Sequence, residues 1–352
     1  MSGWSVIELS TTSDGIHNRM KSILVVTLSN FGDVIMTTPV IMALAARYPE
    51  ARLTVVVGYK ACSVLEKSSH IDRVVPYDKR MNLLSKWRFI RELRKKPYDC
   101  IVDLRNSPIP FLIPCKIRSP LFRRFRTINM RERHQEILEM MGMRIRFPPP
   151  FEFFDAADRR SALEKLRDKG IASTGGWIVV APGAASEKKR WPVECFQEVI
   201  RQLVAGTARK VLLVGAGNER PIAEAVVRGA PGIATILSGE TTMPETAVLL
   251  SSAVLVVAND SAVMHLGFEL GVPTVGIFGP TDHEKYGHAG PRFRVAREDA
   301  GACSCDSEKL PYAERRCFHG LGPETVLRLC AELLPGSGAP EARRGKGEGE
   351  GF

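Results

Sequence analysis

The chain has 352 residues, 44% of them hydrophobic, enough to bury the cores of two domains. No apolar run reaches transmembrane length and no signal-peptide stretch opens the chain, so a soluble cytoplasmic protein is expected. Eight scattered cysteines argue against a disulfide framework, and a formal net charge of +10 favours an anionic partner: nucleotide, phosphorylated substrate, acidic lipid surface or nucleic acid.

Residues 1–19 are polar and aperiodic and read as a disordered extension ahead of Met20. Residues 23–28 are an apolar run that reads as a buried strand, and residues 29–33 as a turn. A single amphipathic helix is expected over residues 34–48. Further strands are expected over 53–57, 74–77 and 100–104, with basic helices between them. Strand and helix in alternation mean a parallel sheet covered on both faces, with ligands beyond the carboxyl ends of the strands. Asp33 and the group Asp103, Arg105 and Asn106 lie at such ends. Gly32 lets the turn approach a ligand closely. Asp33 reads either as a helix-start carboxylate or as a general base.

Seven Lys or Arg and one Glu fall within residues 116–133, interleaved with Phe122 and Phe125 and preceded by an apolar, Pro-rich stretch. This segment suits an anionic membrane surface or a phosphorylated glycolipid, and equally a solvated basic face. Residues 147–151, with three consecutive prolines, are expected to link two domains, 20–150 and 151–335.

The second half repeats the alternation. Strands are expected over 177–181, 211–214 and 234–237, with helices after each and a terminal helix over 323–334. The loop 182–192 (PGAASEKKRWP) joins small residues to three consecutive cations, as a phosphate-binding loop or a solvated basic loop would. Residues 215–220 (GAGNER) resemble an incomplete dinucleotide fingerprint, in which Glu219 could meet a ribose or favour the helix start. The apolar run 253–258 is a buried strand. Asn259, Asp260 and Ser261 form an elbow, each able to cap the helix that carries Ala262, Val263 and His265. Unpartnered N–H groups at that helix start favour an anion, although a capped helix with a packed histidine accounts for the same residues. Cys303, Cys305, Cys317 and His319 match no standard zinc spacing and read as packing residues; neither metal nor cofactor is expected. Residues 336–352 are expected to be disordered.

These blocks in this order resemble glycosyltransferase family 9, the ADP-heptose:lipopolysaccharide heptosyltransferases. The resemblance runs from Met20 to about Leu334. It rests on LSNFGDVIMTTP (28–39), YDCIVDLRNS (98–107), the loop 182–192, GAGNE (215–219), Asn259-Asp260-Ser261 with His265, and GPTD (279–282). It implies an α/β GT-B fold, two Rossmann-like parallel-sheet domains facing across a cleft, the acceptor on the first and the donor on the second. It implies inverting transfer of heptose from ADP-L-glycero-D-manno-heptose to the lipopolysaccharide inner core. By the same resemblance Asp33 is the base and Lys189 the diphosphate-binding lysine. Asp260 meets the donor sugar, and Ser261, Ala262, Val263 and His265 hold the diphosphate. Ser186, Glu219 and Thr241 contact phosphate, ribose and the adenine side. Family members usually carry Gly where this chain has Ala262. Arg105, Asn106, Arg123 and Arg124 are expected to meet a lipid A–core acceptor, at the inner face of the inner membrane, with no nucleic acid. A GT-B transferase with another nucleotide sugar or acceptor, or a non-enzymatic nucleotide- or nucleic-acid-binding protein, remains open on the sequence.

Overall fold

The computed structural model describes residues 20–143, 148–172, 175–229, 231–298, 318 and 320–334. The expected extension 1–19, the tail 336–352, and Cys303, Cys305, Cys317 and His319 lie outside them. The chain divides into two compact units, Met1–Phe153 and Phe154–Phe352.

Unit 1 contains β1 (Ser22–Val26), α1 (Phe31–Ile35), α2 (Thr38–Arg47), β2 (Arg52–Gly58), β3 (Arg73–Tyr77), α3 (Leu83–Leu93), β4 (Tyr98–Asp103), α4 (Ile109–Leu112), β5 (Cys115–Arg118) and α5 (Met130–Met140). The five strands are parallel, in the order β3-β2-β1-β4-β5. The central strands are buried on both faces, which explains their unbroken apolar runs.

The expected single helix over 34–48 is two helices, because Pro39 interrupts it. A continuous helix would need Pro39 to donate an N–H to the Ile35 carbonyl, and proline has none. The Thr38 hydroxyl donates to that carbonyl instead, at 2.8 Å, and the Thr37 hydroxyl to the Val34 carbonyl at 2.6 Å. The chain from the end of the expected linker onward packs. Phe151 and Phe153 are buried with ring centroids 4.9 Å apart, and Glu152 accepts from the Ser69 N–H and hydroxyl at 2.8 and 2.7 Å.

Unit 2 opens with α6 (Ala156–Asp168), capped by Asp155, whose carboxylate accepts from the Ala157 and Asp158 N–H groups. Then come β6 (Ile178–Ala181), α7 (Val193–Thr207), β7 (Val211–Leu213), α8 (Arg220–Arg228), β8 (Ala234–Ile236), α9 (Met243–Ser251), β9 (Leu255–Asn259), α10 (Ala262–Glu269), β10 (Thr274–Ile277), α11 (His283–Tyr286), β11 (Phe293–Ala296) and α12 (Pro323–Leu333). The parallel sheet runs β11-β10-β9-β6-β7-β8. Its core joins Ile178, Val180 and Val257 of the sheet to Phe196 and Val199 of α7 and Val326 of α12. β5 and β11, edge strands without a continuous apolar run, carry too little pattern to be read from sequence.

Candidate functional site

In each sheet the strand order reverses once. In unit 1 the chain leaves β1 toward β2 and β3 on one side and returns on the other with β4 and β5. In unit 2 the same reversal separates β6 from β9. Loops leaving the carboxyl ends of such a strand pair turn away from each other, so a crevice opens between them. Lys189 and Asp260 follow β6 and β9. Asp33 and Asn106 follow β1 and β4.

The unit 2 crevice is held together by Asn259. Its Oδ1 accepts from the Trp191 N–H at 3.1 Å, and its Nδ2 donates to the Pro182 carbonyl at 2.8 Å. One fully buried amide thereby clamps both ends of the loop 182–191 onto β9. Trp191 anchors the far end, its indole N–H donating to the Leu321 carbonyl at 3.0 Å and its ring packing edge-on against Phe196. Between the clamped ends a short 3₁₀ turn, Glu187–Lys189, points Lys189 back at the elbow.

The Lys189 ammonium donates to Asp260 Oδ2 at 2.7 Å. Asp260 Oδ1 lies 3.7 Å from His265 Nε2. The Asp260 side chain is 3% exposed while that of Lys189 is 34% exposed. One carboxylate, sunk at the strand end, thus holds a cation whose head still reaches solvent. The Tyr286 ring centroid lies 6.0 Å from the same ammonium.

None of the three elbow residues caps the helix through its side chain. Asn259 ends β9, Asp260 turns to Lys189, and Ser261 occupies the N-cap position without a side-chain cap bond. The Ser261 hydroxyl is buried with no partner among the described residues, at the start of a helix whose first N–H groups have no intrahelical acceptor. Ala262 and Val263 form the first turn. These donors beside a lysine make a setting for an anion such as a diphosphate.

Ser186 precedes the Lys189 turn and accepts the Lys189 N–H on its carbonyl at 3.0 Å. Glu219 stands after β7, its carboxylate accepting the Ala216 N–H at 2.8 Å. It lies across two glycines. A Cβ on Gly183 would fall 2.4 Å from its Cδ, and one on Gly215 would fall 2.7 Å from its Oε2. Thr241 follows β8, its hydroxyl 2.9 Å from that of Thr246. Strand order sets these two out in a row from Lys189: first the β7 loop, then the β8 loop. Gly239, at φ +79°, permits their contact; a Cβ there would stand 2.8 Å from the Gly217 Cα.

In unit 1, Asp33 occupies the first turn of α1, half-buried, one carboxylate oxygen accepting from Asn30 Nδ2 at 2.8 Å. Asp103 ends β4, buried, and its carboxylate accepts the Arg105 and Ser107 N–H groups at 2.8 and 2.5 Å. Burial pushes its carboxyl above the usual carboxylate range, against those bonds and the nearby Arg123. The resulting turn holds Asn106 at φ +62°, a left-handed conformation that asparagine tolerates better than most residues. Arg105 then reaches over the Tyr77 ring, 5.5 Å from its centroid, and to the Ser29 hydroxyl at 3.3 Å. Gly58 makes room for Ser29; a Cβ there would lie 2.5 Å from the Ser29 Cα.

The acceptor-side arginines divide. Arg123 donates through Nε to the Pro120 carbonyl at 2.8 Å and through Nη2 to the Asp103 carbonyl at 2.7 Å. It braces the β4 turn. Arg124 is exposed.

Three features escaped the sequence reading. His134 of α5, buried, lies with Nδ1 3.4 Å from the Met36 carbonyl just behind α1, its Nε2 without a partner among the described residues. Tyr286 reaches Lys189 from a short helix. Neither carried a sequence signal. Asn259 does carry one, a lone amide closing an apolar run, but the sequence makes it only one of three candidate caps.

Two parallel-sheet α/β units, each with its polar residues at a strand-order reversal, make a GT-B fold. Residues 149–315 match glycosyltransferase family 9 (heptosyltransferase). The chain carries a glycosyltransferase family 9 domain and is a glycosyltransferase. It is 25% identical over 282 residues to lipopolysaccharide heptosyltransferase 3 of Escherichia coli (strain K12), covering 72% of this chain and 80% of that protein. To lipopolysaccharide heptosyltransferase 2 of Salmonella typhimurium it is 26% identical over 348 residues, covering 90% and 99%. The solved structure of E. coli ADP-heptose lps heptosyltransferase II superposes with a TM-score of 0.71 at 21% identity, covering 89% and 98% of the two chains.

Proposed function

We propose that this protein transfers heptose from ADP-L-glycero-D-manno-heptose to the inner core of lipopolysaccharide, with inversion at the anomeric carbon. The observation that carries the reading is Lys189, pinned by Asp260 beside the N-terminus of α10. The names of the relatives, lipopolysaccharide heptosyltransferases from two genera, support it.

In this reading an acceptor hydroxyl attacks the anomeric carbon while Asp33 takes its proton. The bond from that carbon to the diphosphate oxygen breaks, and ADP departs with the electron pair. Lys189 and the α10 N–H groups stabilise the growing charge. The Ser261 hydroxyl, His265 and the backbone at Ala262 and Val263 complete the diphosphate cradle. Ser186 adds a phosphate contact. Glu219 serves the ribose and Thr241 the adenine side, in the order that β6, β7 and β8 set them out. Asp260 meets the sugar while it orients Lys189. Arg105, Asn106 and Arg124 face the acceptor, and Arg123 holds the turn that presents them.

Among the described residues no helix is long and apolar enough to cross a membrane. A lipid-anchored acceptor is then met by peripheral contact at the inner face of the inner membrane, where the basic segment 116–133 has phosphate to bind. The test is a transfer assay with ADP-heptose, UDP-sugars and GDP-sugars against a panel of truncated core acceptors. Transfer from ADP-heptose alone, to an inner-core acceptor, is expected. Transfer from another nucleotide sugar, or none from ADP-heptose, overturns the reading.

A further inference from the structure

The helix α3 carries more apolar surface than the fold buries. Phe89, Ile90 and Leu93 pack on the sheet, with the Phe89 ring 5.1 Å from that of Tyr77. At its start and toward solvent Leu83 is 84% exposed, Leu84 58% and Trp87 59%. Spacings of three and four residues put these side chains on one stripe, which continues into the inward-packing Ile90 three residues past Trp87. The helix start is already capped, Asn82 accepting the Ser85 N–H at 2.8 Å, so the outward leucines serve no local need.

Charge surrounds them. Residues 79–96 hold eight Lys or Arg and one Glu. That glutamate, Glu92, pairs with Lys95 at 2.5 Å and lies 3.9 Å from Arg73. The remaining cations of the helix form no ion pair among the described residues. The Arg91 guanidinium sits 5.0 Å over the Trp87 ring, an indole–cation couple with an apolar body and a charged rim.

We propose that this outward face of α3 docks unit 1 on the headgroup layer of an anionic phospholipid bilayer. A bilayer uses both halves of the face: acyl boundary for Leu83, Leu84 and Trp87, lipid phosphate for the basic rim. A nucleic acid would use the cations and leave the leucines in water. Topology adds a second argument. α3 begins past the carboxyl end of β3, as Phe111 does past β4 and Phe122, 92% exposed, past β5. The exposed apolar residues therefore leave unit 1 at the same end of its sheet as Asp33, which follows β1. The link between docking and catalysis rests on the proposed lipid-linked acceptor, but the docking itself does not.

The experiment is vesicle flotation of the full-length protein, with neither sugar nucleotide nor acceptor present, so that its failure leaves the transfer reaction unjudged. Mixed phosphatidylethanolamine–phosphatidylglycerol vesicles are compared with phosphatidylcholine vesicles across a salt series. Salt-sensitive binding to the anionic vesicles is expected, falling about tenfold or more in Leu83→Ser/Leu84→Ser/Trp87→Ser. Independently, brominated lipids should quench tryptophan emission in the parent and lose most of that quenching in Trp87→Phe, which keeps the face apolar. Parent binding no stronger to anionic than to neutral vesicles overturns the proposal. So does quenching unchanged in Trp87→Phe, or a folded triple variant that floats like the parent. Preferential, α3-dependent binding to RNA would instead assign the face to nucleic acid.

Discussion

The two strand-order reversals are built alike and finished differently. In unit 2 the aspartate is buried and engaged: Asp260 holds the partly exposed Lys189, on a loop that Asn259 clamps to the sheet. In unit 1 the buried aspartate, Asp103, is spent on its own turn, and the half-buried one, Asp33, keeps a single amide contact from Asn30. The difference matches two chemical tasks. A departing diphosphate needs charge already fixed in place, so that no reorganisation is left for the moment of bond breaking. A base must reach a hydroxyl and take its proton, so it cannot be saturated with donors.

The comparison breaks most visibly at Asp33. Asp33→Ala should lower kcat by about a thousandfold, within the usual range for a lost general base, while calorimetry finds the affinity for ADP unchanged. A near-parental kcat would mean that the half-buried carboxylate is not the base. Lys189→Ala should cost about a hundredfold in kcat/KM and also weaken ADP binding, so the two variants differ in which constant moves. Loss of stability accompanies it, because Asp260 is left as a buried charge without its partner. Equal ADP affinity in Lys189→Ala and the parent removes Lys189 from the cradle.

Asn259→Ala probes the bracing. It leaves the Trp191 N–H and Pro182 carbonyl unpaired in a buried place and should cost about 2–4 kcal/mol in denaturant unfolding. A loss under about 1 kcal/mol would show that the loop holds itself.

His134 sharpens the unit 1 side. Burial of the ring, with a further push from Arg123, lowers its pKa from 6.5 to about 4, although the Met36 carbonyl and the Asp33 charge favour the protonated form. An unfolded chain takes up this proton near pH 6.5 and the folded chain refuses it until about pH 4. Stability therefore falls as pH falls through that window, by about 3 kcal/mol in all. His134→Gln should flatten the slope there. Glu245 of α9 acts in a lower window. Burial raises its carboxyl, but Lys165, Ser161 and the Thr242 N–H outweigh it and hold the pKa at about 2. Its contribution is present above pH 4.5 and lost as pH falls toward 2, so the His134→Gln curve should rejoin the parent's slope below pH 4. A His134→Gln slope equal to the parent's between pH 6.5 and 4 would exclude the buried ring as the source.

The smallest effect is expected at Gly183, where a methyl group would displace the Glu219 carboxylate. Gly183→Ala should raise the donor KM a few-fold without changing kcat, since the side chain that yields is a flexible one. An unchanged KM would separate Glu219 from the nucleotide.

Much of this was legible beforehand because buried parallel strands write themselves as apolar runs. Residues 23–28, 100–104 and 253–258 are each followed by the polar residues that the fold gathers at a crevice. The proline at position 39 also marks a helix break, but the apolar spacing continues across it and masks the interruption. Partnerships were a different matter. That Lys189 meets Asp260, 71 positions away, or that His134 lies behind the Asp33 helix, leaves no local trace. Arg123 and Arg124 are adjacent and chemically identical, yet one is a brace and the other is exposed.

Local chemistry in the chain therefore determined which segments become strands, which turns carry acid, amide and cation, and that two similar halves follow one another. Tertiary structure alone decided which of those polar groups are consumed in holding turns and which are left to act. The physical reason is that hydrogen-bond partners in a parallel sheet come from neighbouring strands, and neighbours such as β6 and β9 are distant along the chain.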